Sequence, residues 1–255
     1  MALDGDGRLR SRGREDERSD LIGRLLTFVA ERRLEPGEKL PSERELAERF
    51  AVGRNAVREA IAVLETVRMV ERRPNSGIYL RAVERDGSLE ALVLRADLGV
   101  PLTAAEVTEL IDLRRILELQ GTELACERRQ GEDLERIEAA LDQGAATIAA
   151  GENFADADAG FHLAVAAATR NQLFLRVVNS FYLLYRTRRS HYFADGSRAG
   201  GSHAQHRAMF DAIAAGDADK AVALMRGHLK GAESYWLELL QRSPPRAMEG
   251  EDKSR

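Results

Sequence analysis

Long apolar runs, paired cysteines and strand-like alternation are all missing from most of this 255-residue chain, and each absence removes a class of protein. No apolar stretch approaches the ~20 residues that a bilayer-spanning helix needs, which excludes a membrane protein of that kind. The acidic, glycine-rich start lacks the pattern of a signal peptide. Cys126 is the only cysteine. An internal disulfide framework is therefore excluded, the cytoplasm is the expected location, and Cys126 is expected to be a small buried residue. Beyond residue 103 there is no period-two alternation and no repeat, which leaves helices. What is present is 44% hydrophobic residues, enough for a core, and 31% charged residues, with a net charge of -4. The charge is uneven. Residues 1–83 carry 17 Arg and Lys against 15 Asp and Glu, leaving 21 against 27 for the remainder. Nucleic-acid contacts are local, so modest positivity at one end is compatible with a polyanionic partner there, while the acidic second half argues against DNA lying across it.

The amino-terminal end carries the most specific pattern. Ser42 with Glu45 three residues on is the capping-box arrangement that opens a helix. Leu46, Ala47 and Phe50 recur on one face of that helix. Ala51, Val52 and Gly53 make a turn, and Gly53 can cap a second helix from about residue 54 to 67, whose buried stripe is Val57, Ile61 and Leu64. Two short helices joined in this way form a helix-turn-helix, whose second helix enters the major groove with its leading residues at base edges. Arg54, Asn55 and Arg58 occupy that leading end, and Arg44 points to the same groove. The arginine fork pairs bidentately with guanine O6 and N7. Residues 69–73 and 78–81 read as two strands joined across Pro74, Asn75, Ser76 and Gly77, where Asn75 and Gly77 tolerate the positive φ of a tight hairpin. Leu21, Ile22, Leu25, Leu26 and Val29 supply an earlier amphipathic helix for this unit to pack on. The alternative is a capped helical hairpin whose arginines only solvate its surface.

This stretch resembles the DNA-binding domain of the GntR family of bacterial regulators. The matching elements are Pro36-Gly37, Leu40 to Ala47, Val52-Gly53-Arg54, Val57 to Ala60 and Gly77 to Leu80. The resemblance implies operator contacts from Arg44, Arg54 and Arg58, with the wing tip, here Asn75, in the minor groove. Gly53 stands where a Ser or Thr is common, and Asn75 where a wing glycine is common.

The expected organisation is mainly α. Residues 1–17 read as a disordered arm and 18–82 as the winged helix-turn-helix. A linker follows over 83–102, with a short helix near 89–94. An antiparallel bundle of about six to seven helices spans 103–241, and 242–255 reads as a disordered tail. The helices expected within the bundle cover 104–129, 132–150, 154–168, 171–194, 202–215 and 218–241. The breaks fall at Gly131, Gly151, Arg170-Asn171, Gly196 to Gly201 and Gly216.

Within this bundle the apolar stripes are interrupted. Asp158 and His162 lie four apart on one face, His206 heads the stripe of Met209, Phe210 and Ile213, and His228 lies in line with Ala221, Leu224 and Met225. An unpaired buried carboxylate or imidazole is unfavourable by several kcal/mol, so these four side chains call for shared partners. A divalent metal is one solution and ordinary core hydrogen bonding is the other. Arg114 also lies on an inward stripe, with Val107, Leu110, Ile111, Leu117 and Leu124, whereas Arg115 is rotated outward. The inward guanidinium needs an anion. Glu118, four residues on, is the internal candidate, and a ligand carboxylate is the external one.

The run Asp158-Ala-Gly-Phe-His162 with Asn171, His206, Gly216-Asp217 and His228 is similar to the all-helical FCD ligand-binding domain of the FadR subfamily of the same family. The resemblance implies that Asp158, His162, His206 and His228 hold a divalent metal (zinc, with nickel or manganese as alternatives). It also implies that Arg114, in Arg114-Arg115-Ile116-Leu117-Glu118, meets a small organic or sugar acid. His203 is a rival for His206, and His191 is expected at the surface.

The expectation is therefore a DNA-binding transcription regulator, a repressor in its simplest form, that binds palindromic operator DNA as a homodimer and responds to a small acid. It is not expected to be an enzyme. A helical metalloenzyme tethered by the winged domain would need a general base or nucleophile beside the four ligands, and none is evident. An architectural DNA binder with a structural metal would be indifferent to every effector.

Overall fold

Helix α1 (Gly7–Glu31) presents Leu21, Ile22, Leu25 and Phe28 as a buried stripe in the computed structural model, which describes residues 7–100 and 103–242. The chain divides into two units, Met1–Pro101 and Leu102–Arg255. In the first, α1 packs against α3 (Arg54–Thr66), which in turn packs against α2 (Glu43–Phe50). The Ser42 hydroxyl accepts from the Glu45 N–H at 3.3 Å, and the Glu45 carboxylate accepts from the Ser42 N–H at 2.8 Å, so the capping box forms as its spacing predicts. Ala51 ends α2 in the left-handed region (φ 55°, ψ 43°), and Gly53 caps α3 without a side-chain bond. Strands β1 (Val70–Arg73) and β2 (Gly77–Leu80) pair antiparallel, with Val70 opposite Leu80 and Arg73 opposite Gly77. Their turn needs positive φ at Asn75 (56°) and Gly77 (136°), the two residues that tolerate it best. Lys39 adds a single bridge to Tyr79.

Two amino-terminal expectations need correcting. The arm expected to be disordered over 1–17 is helical from Gly7 onward, because arginine and glutamate are good helix formers and extend α1 backward; residues 1–6 lie outside the described residues. The stretch 83–102 is more than a linker. It forms α4 (Val83–Asp86) and α5 (Leu89–Asp97), and Ala91 is fully buried in the core of the first unit, with Val83, Leu94 and Leu98 packed beside it. Those apolar residues cover the open side of the winged fold, which is why the segment does not run free.

The second unit consists of α6 (Ala104–Arg128), α7 (Gly131–Ala149), α8 (Ala155–Ala168), α9 (Gln172–Leu184), α10 (Arg186–Tyr192), α11 (Ala199–Ala215) and α12 (Ala218–Arg242). Helix α12 lies along α6 and α11, and α7 lies along α8 and α11. Their shared core includes Ile137, Leu141, Phe161, Val165, Met209, Ile213, Met225 and Leu229, with Cys126 buried among them. The helix expected over 171–194 is broken at Tyr185. Arg189 is buried there, and its guanidinium donates to the Tyr182 carbonyl at 3.2 Å and to the Ala155 carbonyl at 2.6 Å. It thereby satisfies an acceptor at the end of α9. The expected break from Gly196 to Gly201 is shorter than predicted. Gly196 takes φ 69°, but α11 already begins at Ala199, because Ala199 and Ser202 continue the buried stripe of His206 and Met209. The tail expected to be disordered over 242–255 lies outside the described residues, apart from Arg242 at the end of α12.

Candidate functional site

In the first unit, Arg54 and Asn55 form the first turn of α3 and Arg58 follows one turn on, all three exposed. Arg54 makes no hydrogen bond or ion pair among the described residues. Arg58 donates to one oxygen of Glu43 at 3.3 Å, and Arg72 of β1 donates to the other at 3.2 Å. Arg72 also reaches Glu65 on α3 at 3.3 Å. One carboxylate at the start of α2 therefore joins the leading end of α3 to the wing. Arg44, the next residue, is exposed and pairs with Glu48 at 3.1 Å. Asn75 is exposed at the tip of the hairpin. Arg72 is expected from the sequence as part of the positive patch, with Arg68, Arg73 and Arg81, but its link to Arg58 through Glu43 is not, although Glu43 sits inside the capping sequence and could have been considered as a partner for the arginines.

In the second unit, the structure brings together Asp158, His162, His206 and His228. Each offers one ligand atom, and these atoms lie within 4.8 Å of one another. Helix α8 supplies the first pair by its i,i+4 spacing, and α11 and α12 supply one imidazole each. His206 Nε2 lies 3.4 Å from Asp158 Oδ1 and 3.3 Å from His228 Nε2. His162 is fully buried and its Nε2, which faces Asp158 at 3.8 Å, has no hydrogen-bond partner.

The opposite nitrogens are engaged. Glu118 of α6 accepts from His162 Nδ1 at 3.0 Å, and the Gln205 side-chain oxygen accepts from His228 Nδ1 at 2.7 Å. With those protons on Nδ1, the lone pairs sit on Nε2 and face the cluster centre, which is the arrangement a metal ligand requires. Burial first, then the neighbouring imidazoles, holds His206 well below its ordinary value, and burial followed by His162 and Arg114 does the same for His228. Both rings are therefore neutral, as ligands must be. The donor set and the orphaned His162 nitrogen fit a divalent cation. His203, the rival, turns instead to the Leu141 carbonyl at 2.9 Å, and His191 is exposed and bonded to the Tyr235 hydroxyl at 2.7 Å.

Arg114 is buried, and Glu118 attracts it electrostatically, but no hydrogen bond joins them among the described residues. The Glu118 carboxylate is taken by His162 and by the Tyr182 hydroxyl. Burial would raise its pKa, yet His162, Arg114 and Tyr182 outweigh burial and keep it lowered. Arg114 makes only a long 3.5 Å bond to the Tyr182 hydroxyl, and its Nε has no acceptor. Beside it opens a cavity of about 220 Å³, whose wall includes Arg114, Asp158, Arg198, Gln205, His228 and Trp236. Arg115 is half exposed and pairs with Asp112. The sequence reading found Arg114 but missed Gln205, Arg198 and Trp236 on this wall. Trp236 lies two helical turns after His228, and that spacing was the available signal.

These observations agree with comparisons to known proteins. Residues 18–80 match the gntR family of bacterial regulatory proteins, and residues 109–231 match the FCD domain. The HTH-type transcriptional regulator LutR of Bacillus subtilis is 35% identical over 211 residues, spanning 78% of this chain and 92% of its own length. The galactonate operon transcriptional repressor of Escherichia coli is 29% identical over 73% of this chain and 82% of its own length. Among solved structures, Lar of Listeria monocytogenes shares the fold with a TM-score of 0.63 and 19% identity, covering 87% of this chain and 97% of that one. No helix among the described residues is long and apolar enough to cross a membrane. With its reading head and its helical effector domain both matched, this chain belongs to the GntR family, and it is a DNA-binding transcription regulator of the FadR type rather than an enzyme.

Proposed function

We propose that this regulator is a cytoplasmic repressor that binds a palindromic operator as a homodimer and is controlled by a small organic or sugar acid bound beside a metal. Asp158, His162, His206 and His228 hold the ion. Zinc suits a set of three imidazoles and one carboxylate best, with nickel and manganese as the other candidates. The metal supplies a Lewis-acidic point for an oxygen of the ligand. Arg114 supplies the counter-charge for the ligand carboxylate from the adjoining wall.

The observation that carries this reading is the pairing of two orphaned groups at one place: the buried His162 Nε2 facing the cluster, and the Arg114 Nε beside the cavity. Arg54, Asn55 and Arg58 read base edges, Arg44 supports them, and Asn75 enters the minor groove. A two-fold operator matches a two-fold protein. The acid shifts the protein away from its DNA-binding arrangement only to the extent that it prefers the other arrangement.

The reading is tested by elemental analysis together with operator binding. Purified protein should carry about one divalent ion per chain, and His162→Ala should carry none. A panel of carboxylic and sugar acids should contain members that lower affinity for the protein's own promoter. Full metal occupancy in the His162→Ala variant would exclude this ligand set, and promoter binding indifferent to every acid would exclude the effector role.

A further inference from the structure

Residues 37–40 and 70–81, the wing and the segment beside it, carry four cations: Lys39, Arg72, Arg73 and Arg81. Three of them are matched. Arg72 is held by Glu43 and Glu65, and Glu71 takes both Arg73 at 2.6 Å and Arg81 at 3.2 Å. Lys39 is exposed and makes no hydrogen bond or ion pair among the described residues.

Lys39 is nevertheless held in place. The segment 37–40 lies along the side of β2 that β1 leaves open. The Leu40 N–H donates to the Ile78 carbonyl at 2.8 Å, and the Leu80 N–H and the Gly37 N–H donate to the Glu38 and Leu80 carbonyls, each at 2.9 Å. Lys39 itself bridges to Tyr79. Its side chain then crosses the backbone of Gly77. A Cβ placed on Gly77 would lie 2.5 Å from Lys39 Cε and 3.2 Å from its Nζ, closer than real side chains come. Glycine at this position thus serves twice, by taking φ 136° and by leaving room for the lysine stem. Gly77 follows the hairpin tip at Asn75, and the Lys39 charge also acts on the Glu45 carboxylate at the start of α2. The ammonium therefore stands between the two elements that carry Asn75 and Arg44.

We infer that Lys39 is a phosphate contact of the reading head, its ammonium engaging the DNA backbone beside the wing. This rests on the DNA-binding reading of the first unit and adds to it a residue outside the arginine set. A compact ammonium suits a single phosphate oxygen, whereas the arginine fork suits the paired acceptors of guanine. Because the fold already restrains the lysine stem, less side-chain freedom is lost when DNA arrives. The contact contributes affinity without sequence preference, since every base pair offers the same phosphates.

The test is a salt titration. Full-length protein is titrated with its own promoter duplex and with random duplex of equal length, followed by fluorescence anisotropy over a range of salt concentrations. In Lys39→Gln, affinity is expected to fall severalfold and by the same factor on both duplexes. The slope of log K against log salt is expected to become shallower by about 0.9 for each half-site occupied. Lys39→Arg keeps the charge and is expected to keep the wild-type slope. A slope unchanged in Lys39→Gln would overturn the phosphate contact. A loss confined to the promoter duplex would also overturn it, by making Lys39 a base reader, and so would an equal loss of slope in Lys39→Arg. Absence of salt-dependent binding by the wild type to either duplex would instead overturn the DNA-binding reading on which the contact rests.

Discussion

Glu118→Gln tests the wiring behind the candidate metal centre with almost no change in volume. Glu118 is 5% exposed and accepts from His162 Nδ1 at 3.0 Å on one oxygen and from the Tyr182 hydroxyl on the other. A glutamine keeps one acceptor and turns the other position into a donor. If the amide NH₂ faces His162, the imidazole proton moves to Nε2 and the lone pair aimed at the cluster is lost. If it faces Tyr182, His162 keeps its tautomer but hydrogen-bonds a neutral oxygen, which makes the ring a weaker ligand.

Losing such a carboxylate partner typically lowers metal affinity about 10–100-fold, or ~1.4–2.7 kcal/mol. The metal-induced gain in stability should shrink by the same amount, because ligand stabilisation follows the affinity. Without metal, exchanging charge-assisted hydrogen bonds for neutral ones costs about 1–2 kcal/mol, which corresponds to a fall in Tm of ~2–8 °C for a domain of this size. Competition against a chromophoric zinc chelator gives the first quantity, and thermal unfolding of the metal-free protein gives the second. A variant that loses metal-free stability but binds zinc within twofold of wild type would refute the claim that Glu118 sets the His162 tautomer, leaving it a packing residue only.

Other outcomes follow from the same geometry. Arg54→Ala and Arg58→Ala should each weaken operator binding by about 1–3 kcal/mol per lost base contact while affecting random duplex much less; fluorescence anisotropy at fixed salt measures both, and equal losses on the two duplexes would demote these arginines to phosphate contacts. Asp133 caps α7 through the Gln130 N–H at 2.9 Å and pairs with Arg136 at 2.8 Å and Arg170 at 3.1 Å. Asp133→Ala should cost about 2 kcal/mol at neutral pH, read from denaturant unfolding. Burial would raise the Asp133 carboxyl, but those bonds hold it below its ordinary value, so its contribution is fully present above the unfolded carboxylate range and fades as pH falls through the lower folded value. Wild type and variant should therefore converge in stability in strong acid, and a gap that widens on acidification would contradict the assignment.

How much of this was legible beforehand depended on whether the signal was local. The capping box at Ser42 and Glu45, the hairpin with Asn75 and Gly77 at positive φ, and the Asp158/His162 pair one helical turn apart are all written within five residues of sequence, and all three form. That His206 rather than His203 joins the cluster was read from the surrounding pattern, and the Leu141 carbonyl explains why His203 does not. The failures involve partners distant in sequence. At the break at Tyr185, Arg189 reaches the Ala155 carbonyl, 34 residues away, and nothing in the run from 171 to 194 announces that contact. The Arg114–Glu118 spacing suggested an ion pair, but Glu118 is claimed by His162 and Tyr182, 44 and 64 residues further on. The segment after residue 82 was read as a connector because of Gly87, Gly99 and Pro101, but half of its residues are apolar, and Ala91 with Val83, Leu94 and Leu98 fixes it to the core of the first unit.

The Glu43 carboxylate shared by Arg58 and Arg72 gives the reading head a built-in decoy for its own cations. Exposed ion pairs of this kind are worth less than about 1 kcal/mol, so a stronger anion displaces this one at little cost. Until then the single carboxylate holds the two guanidinium groups side by side and partly neutralised, tying the start of the second helix of the motif to the wing.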